Sequence, residues 1–213
     1  MHMMISQEAI RTKFGDDYTA DERTFIMGID ERFTSHFAKR FSGSRVLETC
    51  SGAGFTTISL ARAAARVITV EIHGPTREKA MQNVLRAGLS ERVSFVSGDI
   101  LNPGIIADLP MVDAVFMDPD WAVTGPGHIY RFRNATTEPP ADLLLEKMLA
   151  ITKNVAMVLP PFIDTREFEG LPPHELERLY LQDSHELFCL YFGDLARAVG
   201  TTEFRVKEPS ALP

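Results

Sequence analysis

This sequence offers little for metal, disulfide or membrane chemistry. Its two cysteines, Cys50 and Cys189, stand in no Cys-x-x-Cys or Cys/His cluster. That spacing excludes a zinc site of ordinary ligand pattern and reads as two reduced thiols; no metal is expected. No run reaches the roughly 18 apolar residues that span a bilayer, so no membrane partner is expected. Met1–Ile5 carries no apolar signal core, which leaves a cytoplasmic location as the expectation. Basic charge is also short, with 22 Lys and Arg against 29 Asp and Glu and a formal net charge of −7. A broad face for long nucleic acid is therefore not expected, whereas a local pocket around one nucleotide, or a small-molecule site, stays open. There is a single tryptophan, Trp121.

What is present is a rhythm. Phe25, Ile29, Phe33, Phe37 and Phe41 recur every four residues, and from Asp30, a plausible N-cap, the pattern predicts an amphipathic helix. After it, short apolar runs alternate with helical ones. Strands are expected at 46–50, 67–72, 93–96, 112–117 and 155–159, and helices at 55–65, 75–87 and 141–151. Alternating β and α elements predict a mostly parallel sheet covered on both faces. Residues 175–181 and 186–192 read as two further strands joined by the polar Gln182-Asp183-Ser184-His185, hence antiparallel. The expected fold is Rossmann-like α/β, with seven strands and a C-terminal antiparallel hairpin. Residues 1–41 form a helical extension packed on the core, 42–207 the main domain and 208–213 a frayed tail.

The chemistry concentrates where strands end. Glu48-Thr-Cys50-Ser51-Gly52-Ala-Gly54 follows the first strand, and its glycines permit a sharp turn and close approach to a ligand. Thr57 occupies the position where a nicotinamide fingerprint wants Gly or Ala, which argues against an oxidoreductase. Glu71, about 20 residues past Gly52, stands where a carboxylate accepts from ribose hydroxyls, with Ile72 beside it. Gly98-Asp99-Ile100 ends the third strand and suits an adenine amino group plus an apolar cover for the ring. Asp118-Pro119-Asp120-Trp121 ends the fourth. There the Asp118 carboxylate and the Pro119 carbonyl can each accept one hydrogen of an exocyclic amine and aim its lone pair, while Trp121 stacks on the ring or simply packs. Arg131 and Arg133, in the long loop that follows, either bind phosphates or are solvated.

These residues resemble the trimethylguanosine synthase family, the RNA cap guanine-N2 methyltransferases, from about Asp21 to about Arg197. The turn Glu48…Gly52-Ala-Gly54 with Thr57-Ile58 is similar to the family's cofactor turn. Asp118-Pro119-Asp120-Trp121 stands where it has Pro-Pro-Trp, and Tyr191-Phe192-Gly193-Asp194-Leu195 matches its last strand. The resemblance implies S-adenosyl-L-methionine as cofactor, held by Glu48, Cys50, Ser51, Gly52, Gly54, Thr56, Glu71, Ile72, Gly98, Asp99, Ile100 and Asp118. It implies catalysis by Asp118, Pro119 and Trp121 on a guanine amino group of a nucleotide or RNA element, with Trp121, Phe25, Arg131 and Arg133 on the substrate. Departures fall at Asp120, in place of a second proline; at Phe55 and Thr56, in place of glycine and asparagine; and at Met27 and Ile29, in place of small polar residues. Two alternatives remain: a small-molecule methyltransferase, and a non-catalytic S-adenosylmethionine-binding protein of the same fold.

Overall fold

The computed structural model describes residues 5–121 and 128–207, which fall into two compact units, 1–120 and 121–213. The first unit opens with three helices, α1 (Gln7–Phe14), α2 (Glu22–Met27) and α3 (Glu31–Ala38). Then come β1 (Arg45–Thr49), α4 (Phe55–Ala63), β2 (Arg66–Glu71), α5 (Gly74–Arg86), β3 (Val93–Ser97), α6 (Pro103–Asp108) and β4 (Ala114–Met117). Its strands are parallel in the order β3-β2-β1-β4. β1, β2 and β4 are buried almost end to end, which is why they read as continuous apolar runs rather than alternating ones. The strand order reverses between β1 and β4, the point where such sheets open a crevice at their carboxyl ends.

The aromatic stripe is not one helix. Gly28 adopts an extended conformation and ends α2, and Asp30 starts α3 by accepting the Arg32 N–H, as expected of an N-cap. Phe33, Phe37 and Phe41 are buried, and Phe37 and Phe41 both meet Phe116 of β4. α2 carries its own capping box, in which Asp21 accepts from the Thr24 N–H and the Thr24 hydroxyl accepts from the Asp21 N–H. Phe14 of α1 stacks flat on Phe55 at 3.6 Å between ring centres. The large residue at position 55 thus fills space beneath the N-terminal helices.

The second unit holds α7 (Ala141–Leu149), β5 (Val155–Leu159), β6 (His174–Leu181), β7 (Ser184–Phe192) and β8 (Gly200–Val206), with strand order β5-β7-β6-β8. β6 and β7 form the expected antiparallel hairpin, turning tightly at Gln182 and Asp183 with Gln182 at φ 56°. β5 pairs antiparallel with β7. β8 is one strand more than the seven expected; it runs parallel to β6, whose buried Glu175 accepts from the Thr202 hydroxyl and the Arg197 N–H. The expected tail, 208–213, lies outside the described residues.

Candidate functional site

The carboxyl ends of β1, β2, β3 and β4 carry the acids that the sequence put there. After β1 the chain turns through Cys50 (φ 62°), Gly52 (φ 52°) and Gly54 (φ 84°). A side chain at Gly52 would meet nothing within 4 Å, so a ligand has room to approach the backbone. At Gly54 a Cβ would sit 3.0 Å from the Ala80 Cα, so this glycine lets α5 pack against the turn. Asn83, buried in α5, locks the arrangement by donating to the Ala53 and Thr19 carbonyls. Ser51 in this turn and Thr56 at the start of α4 are buried.

Four carboxylates crowd this end of the sheet. Glu48 is buried beneath the turn at 1% exposure, where the Thr57 hydroxyl donates to it at 2.6 Å. Thr57, the residue that breaks the nicotinamide fingerprint, therefore has a local task. Burial pushes the Glu48 carboxyl up to about 7, against the pull of that hydrogen bond. Glu71, at the end of β2, accepts the Gly52 N–H at 3.0 Å and the His73 N–H at 2.9 Å, one on each oxygen, leaving further lone pairs for a ligand. Asp118 has no hydrogen-bond partner among the described residues, and burial, reinforced by the charges of Glu48 and Asp120, holds its carboxyl well above the usual range. The Cys50 thiol is likewise pushed up by burial and then by Glu71 and Asp118.

Asp120 is the exception, because Arg23 of α2 donates to its Oδ2 at 2.6 Å. Neither residue carried a sequence signal for this pairing, which closes a gap of 97 positions. On the β3 side, Asp99 is exposed and accepts the Leu101 N–H, Gly98 precedes it, and Ile100 is buried. Ile72 follows Glu71 at 69% exposure, an apolar side chain available to a ring.

The other expected residues each have their own surroundings. Phe25 packs edge-on against Phe14, with the Lys13 ammonium 5.0 Å above its ring. In the second unit Trp121 is half-buried and its indole N–H is buried without a partner among the described residues. Arg133 donates to the Glu167 and Glu169 carbonyls, and Arg131 lies 3.6 Å from the Glu167 carboxylate with its side chain largely exposed. Residues 122–127 of the long loop lie outside the described residues. Among the described residues no group of His, Cys, Asp and Glu could hold a metal, and no helix is long and apolar enough to cross a membrane.

An S-adenosylmethionine molecule presents a ribose, an adenine and a cationic amino-acid sulfonium. The residues of the first unit fit it: an open glycine turn, a ribose-type carboxylate at the end of β2, and a cluster of carboxyl groups around Asp118 to face a cation. Comparison with known proteins points the same way. Over 93 residues the chain is 39% identical to the catechol O-methyltransferase of Mycobacterium tuberculosis, a match spanning 42% of each chain. Its fold is similar to that of a proposed methyltransferase from Porphyromonas gingivalis W83, with a TM-score of 0.71 and 17% identity over 91% of this chain and 49% of the other. It is also similar to the Thermus thermophilus 16S rRNA N2 G1207 methyltransferase, solved with S-adenosylmethionine and guanosine, with a TM-score of 0.56 and 16% identity over 82% of this chain and 43% of that one. The chain thus spans about half or less of the length of these relatives. The profile of the RNA cap guanine-N2 methyltransferases matches residues 43–187, more than half of the chain, on the fold of the class I methyltransferases, and this protein belongs to that family.

Proposed function

We propose that this protein is an S-adenosylmethionine-dependent methyltransferase acting on an exocyclic amine, with the guanine N2 of a nucleotide or cap-like RNA element as the acceptor. The observation that carries the reading is Asp118: a carboxylate at the end of β4, beside the strand-order reversal, with no hydrogen-bond partner among the described residues and a proton affinity raised by its surroundings. When bound, the cofactor supplies a methyl group already activated on a sulfonium. Glu71 receives the ribose hydroxyls, Asp99 faces the adenine amine, and Ile72 and Ile100 flank the ring. The backbone from Cys50 to Gly54, with Ser51 and Thr56, borders the amino-acid end. Glu48, too deep for direct contact, favours the cation through its field.

The acceptor amine gives one hydrogen to the Asp118 carboxylate and one to the Pro119 carbonyl, which aims the nitrogen lone pair. Methylation of the nitrogen would break the S–CH3 bond of the cofactor, with the neutral thioether as leaving group, and the amine would lose one proton. The raised affinity of Asp118 suits it to take that proton. Trp121 stacks on the base. Of the two loop arginines, Arg131 has the freer guanidinium for a phosphate, since Arg133 is occupied by two carbonyls; Phe25 serves the substrate side from beneath.

The test pairs calorimetry with turnover. Wild type is expected to bind S-adenosylmethionine in the micromolar range and NAD not at all. Asp118→Ala is expected to keep cofactor affinity within a few fold while losing about 10²- to 10³-fold in kcat. Full activity in that variant would remove Asp118 from the mechanism.

A further inference from the structure

Asp120 is held in an unusual way. Its Oδ2 is taken by Arg23, whereas its Oδ1 is buried and has no hydrogen-bond partner among the described residues. A buried carboxylate oxygen without a donor is costly, and in a native protein such a group calls for a ligand to complete it. The same arginine lines an open groove of about 560 Å³ with Asp21, Glu22, Ile26 and Met27, room for a ligand the size of a nucleoside to approach. Ile26 and Met27 are 64% and 37% exposed, so the groove offers apolar wall as well as charge. α2 is anchored for this task at two points, by Arg23 on Asp120 and by Lys79 of α5 on Asp21 at 2.7 Å. Asp120 follows Pro119 directly, so its free oxygen lies next in the chain to the groups that orient the amine.

We propose that Asp120 determines acceptor specificity, its Oδ1 accepting a ring N–H adjacent to the methylated amine, with Arg23 as its positioning residue. This rests on the reading of Asp118 and Pro119 as the amine-orienting pair. Guanine has that pattern, because its 2-amino group neighbours the N1–H. In adenine and cytosine the ring nitrogen beside the amine is a lone-pair acceptor, which a carboxylate oxygen repels. The Asp in place of a second proline thereby selects a guanine-type edge.

The experiment measures equilibrium binding of guanosine, 1-methylguanosine and adenosine to the full chain, with and without S-adenosylhomocysteine, and binding of S-adenosylmethionine separately. Wild type is expected to prefer guanosine over 1-methylguanosine by about tenfold or more, the worth of one charged hydrogen bond. Asp120→Asn, which keeps shape and an acceptor for Arg23, is expected to bring that preference within about threefold, leaving S-adenosylmethionine affinity unchanged. Arg23→Ala is expected to weaken guanosine binding and raise KM with little change in kcat; Arg23→Lys restores part of it. Equal binding of guanosine and 1-methylguanosine by wild type, no binding of guanosine beside normal cofactor binding, or undiminished preference in Asp120→Asn overturns the proposal and leaves the methyltransferase reading intact. Loss of S-adenosylmethionine binding in wild type fails that reading instead, and the nucleoside titration without S-adenosylhomocysteine still decides for or against Asp120.

Discussion

The Glu48 carboxyl, under the Gly52 turn with the Thr57 hydroxyl as donor, has a consequence for stability as well as for binding. Its affinity for a proton is raised in the folded chain from 4.5 to about 7. The folded state therefore holds this proton more tightly than the unfolded one. The resulting stabilisation is full below the unfolded carboxyl's range and is lost as pH rises to about 7. Asp118 shifts in the same direction. Urea unfolding of the ligand-free protein between pH 4.5 and pH 8 is expected to show Glu48→Gln more stable than wild type by about 1–3 kcal/mol at pH 8, with the gap closing at the acid end. The amide still accepts from Thr57, so the variant tests the charge rather than the hydrogen bond. Parallel pH curves for the two proteins would mean that Glu48 is solvated in the fold or paired with a cation.

At the scale of elements, the turn from β7 into residues 193–195 explains why its sequence is so specific. Gly193 lies at φ 61°, and a Cβ there would stand 2.5 Å from the Lys153 carbonyl oxygen. The Asn154 side chain accepts the Asp194 N–H at 2.8 Å and Lys153 pairs with Asp194 at 2.9 Å, so the segments 151–154 and 193–195 close on each other. Gly193→Ala combines a backbone clash with a strained conformation, and thermal unfolding is expected to show a loss of about 2–4 kcal/mol; a loss below about 0.5 would mean that the two segments part easily. The elements legible in the sequence were those with strong apolar runs. β1, β2, β4 and β5 are buried along their length, and their expected bounds fall within a residue or two of the observed ones. α6 buries no residue and begins with Pro103, so it had no periodic face to read. β8 is a polar stretch, Gly-Thr-Thr-Glu-Phe-Arg-Val, paired on β6, and nothing in its pattern separated it from a tail. The carboxylates of the site were legible because parallel strands bring their carboxyl ends to one edge. Arg23 on Asp120 was not, since pairing across 97 residues depends on where α2 comes to rest.

For the molecule as a whole, membership of an RNA-modifying family sits beside a net charge of −7. Many of the described basic side chains are already held in ion pairs. Arg11, Arg32, Arg45, Arg62, Lys79, Lys153, Arg166 and Arg205 each pair with an acid. Binding of long RNA grows from phosphate contacts that release counterions, and each contact steepens the dependence on salt by about 0.7 for single strands. Cations held in internal ion pairs are less available to phosphates, which favours the proposed recognition through stacking and hydrogen bonds to one base. Fluorescence anisotropy of an uncapped single-stranded RNA of about 20 nucleotides, titrated at 50 to 200 mM salt, is expected to show either no binding or a log–log slope shallower than about −2. A slope near −5 would reveal a phosphate-binding face of about seven contacts and would shift the acceptor from an isolated nucleotide to a site within a longer RNA.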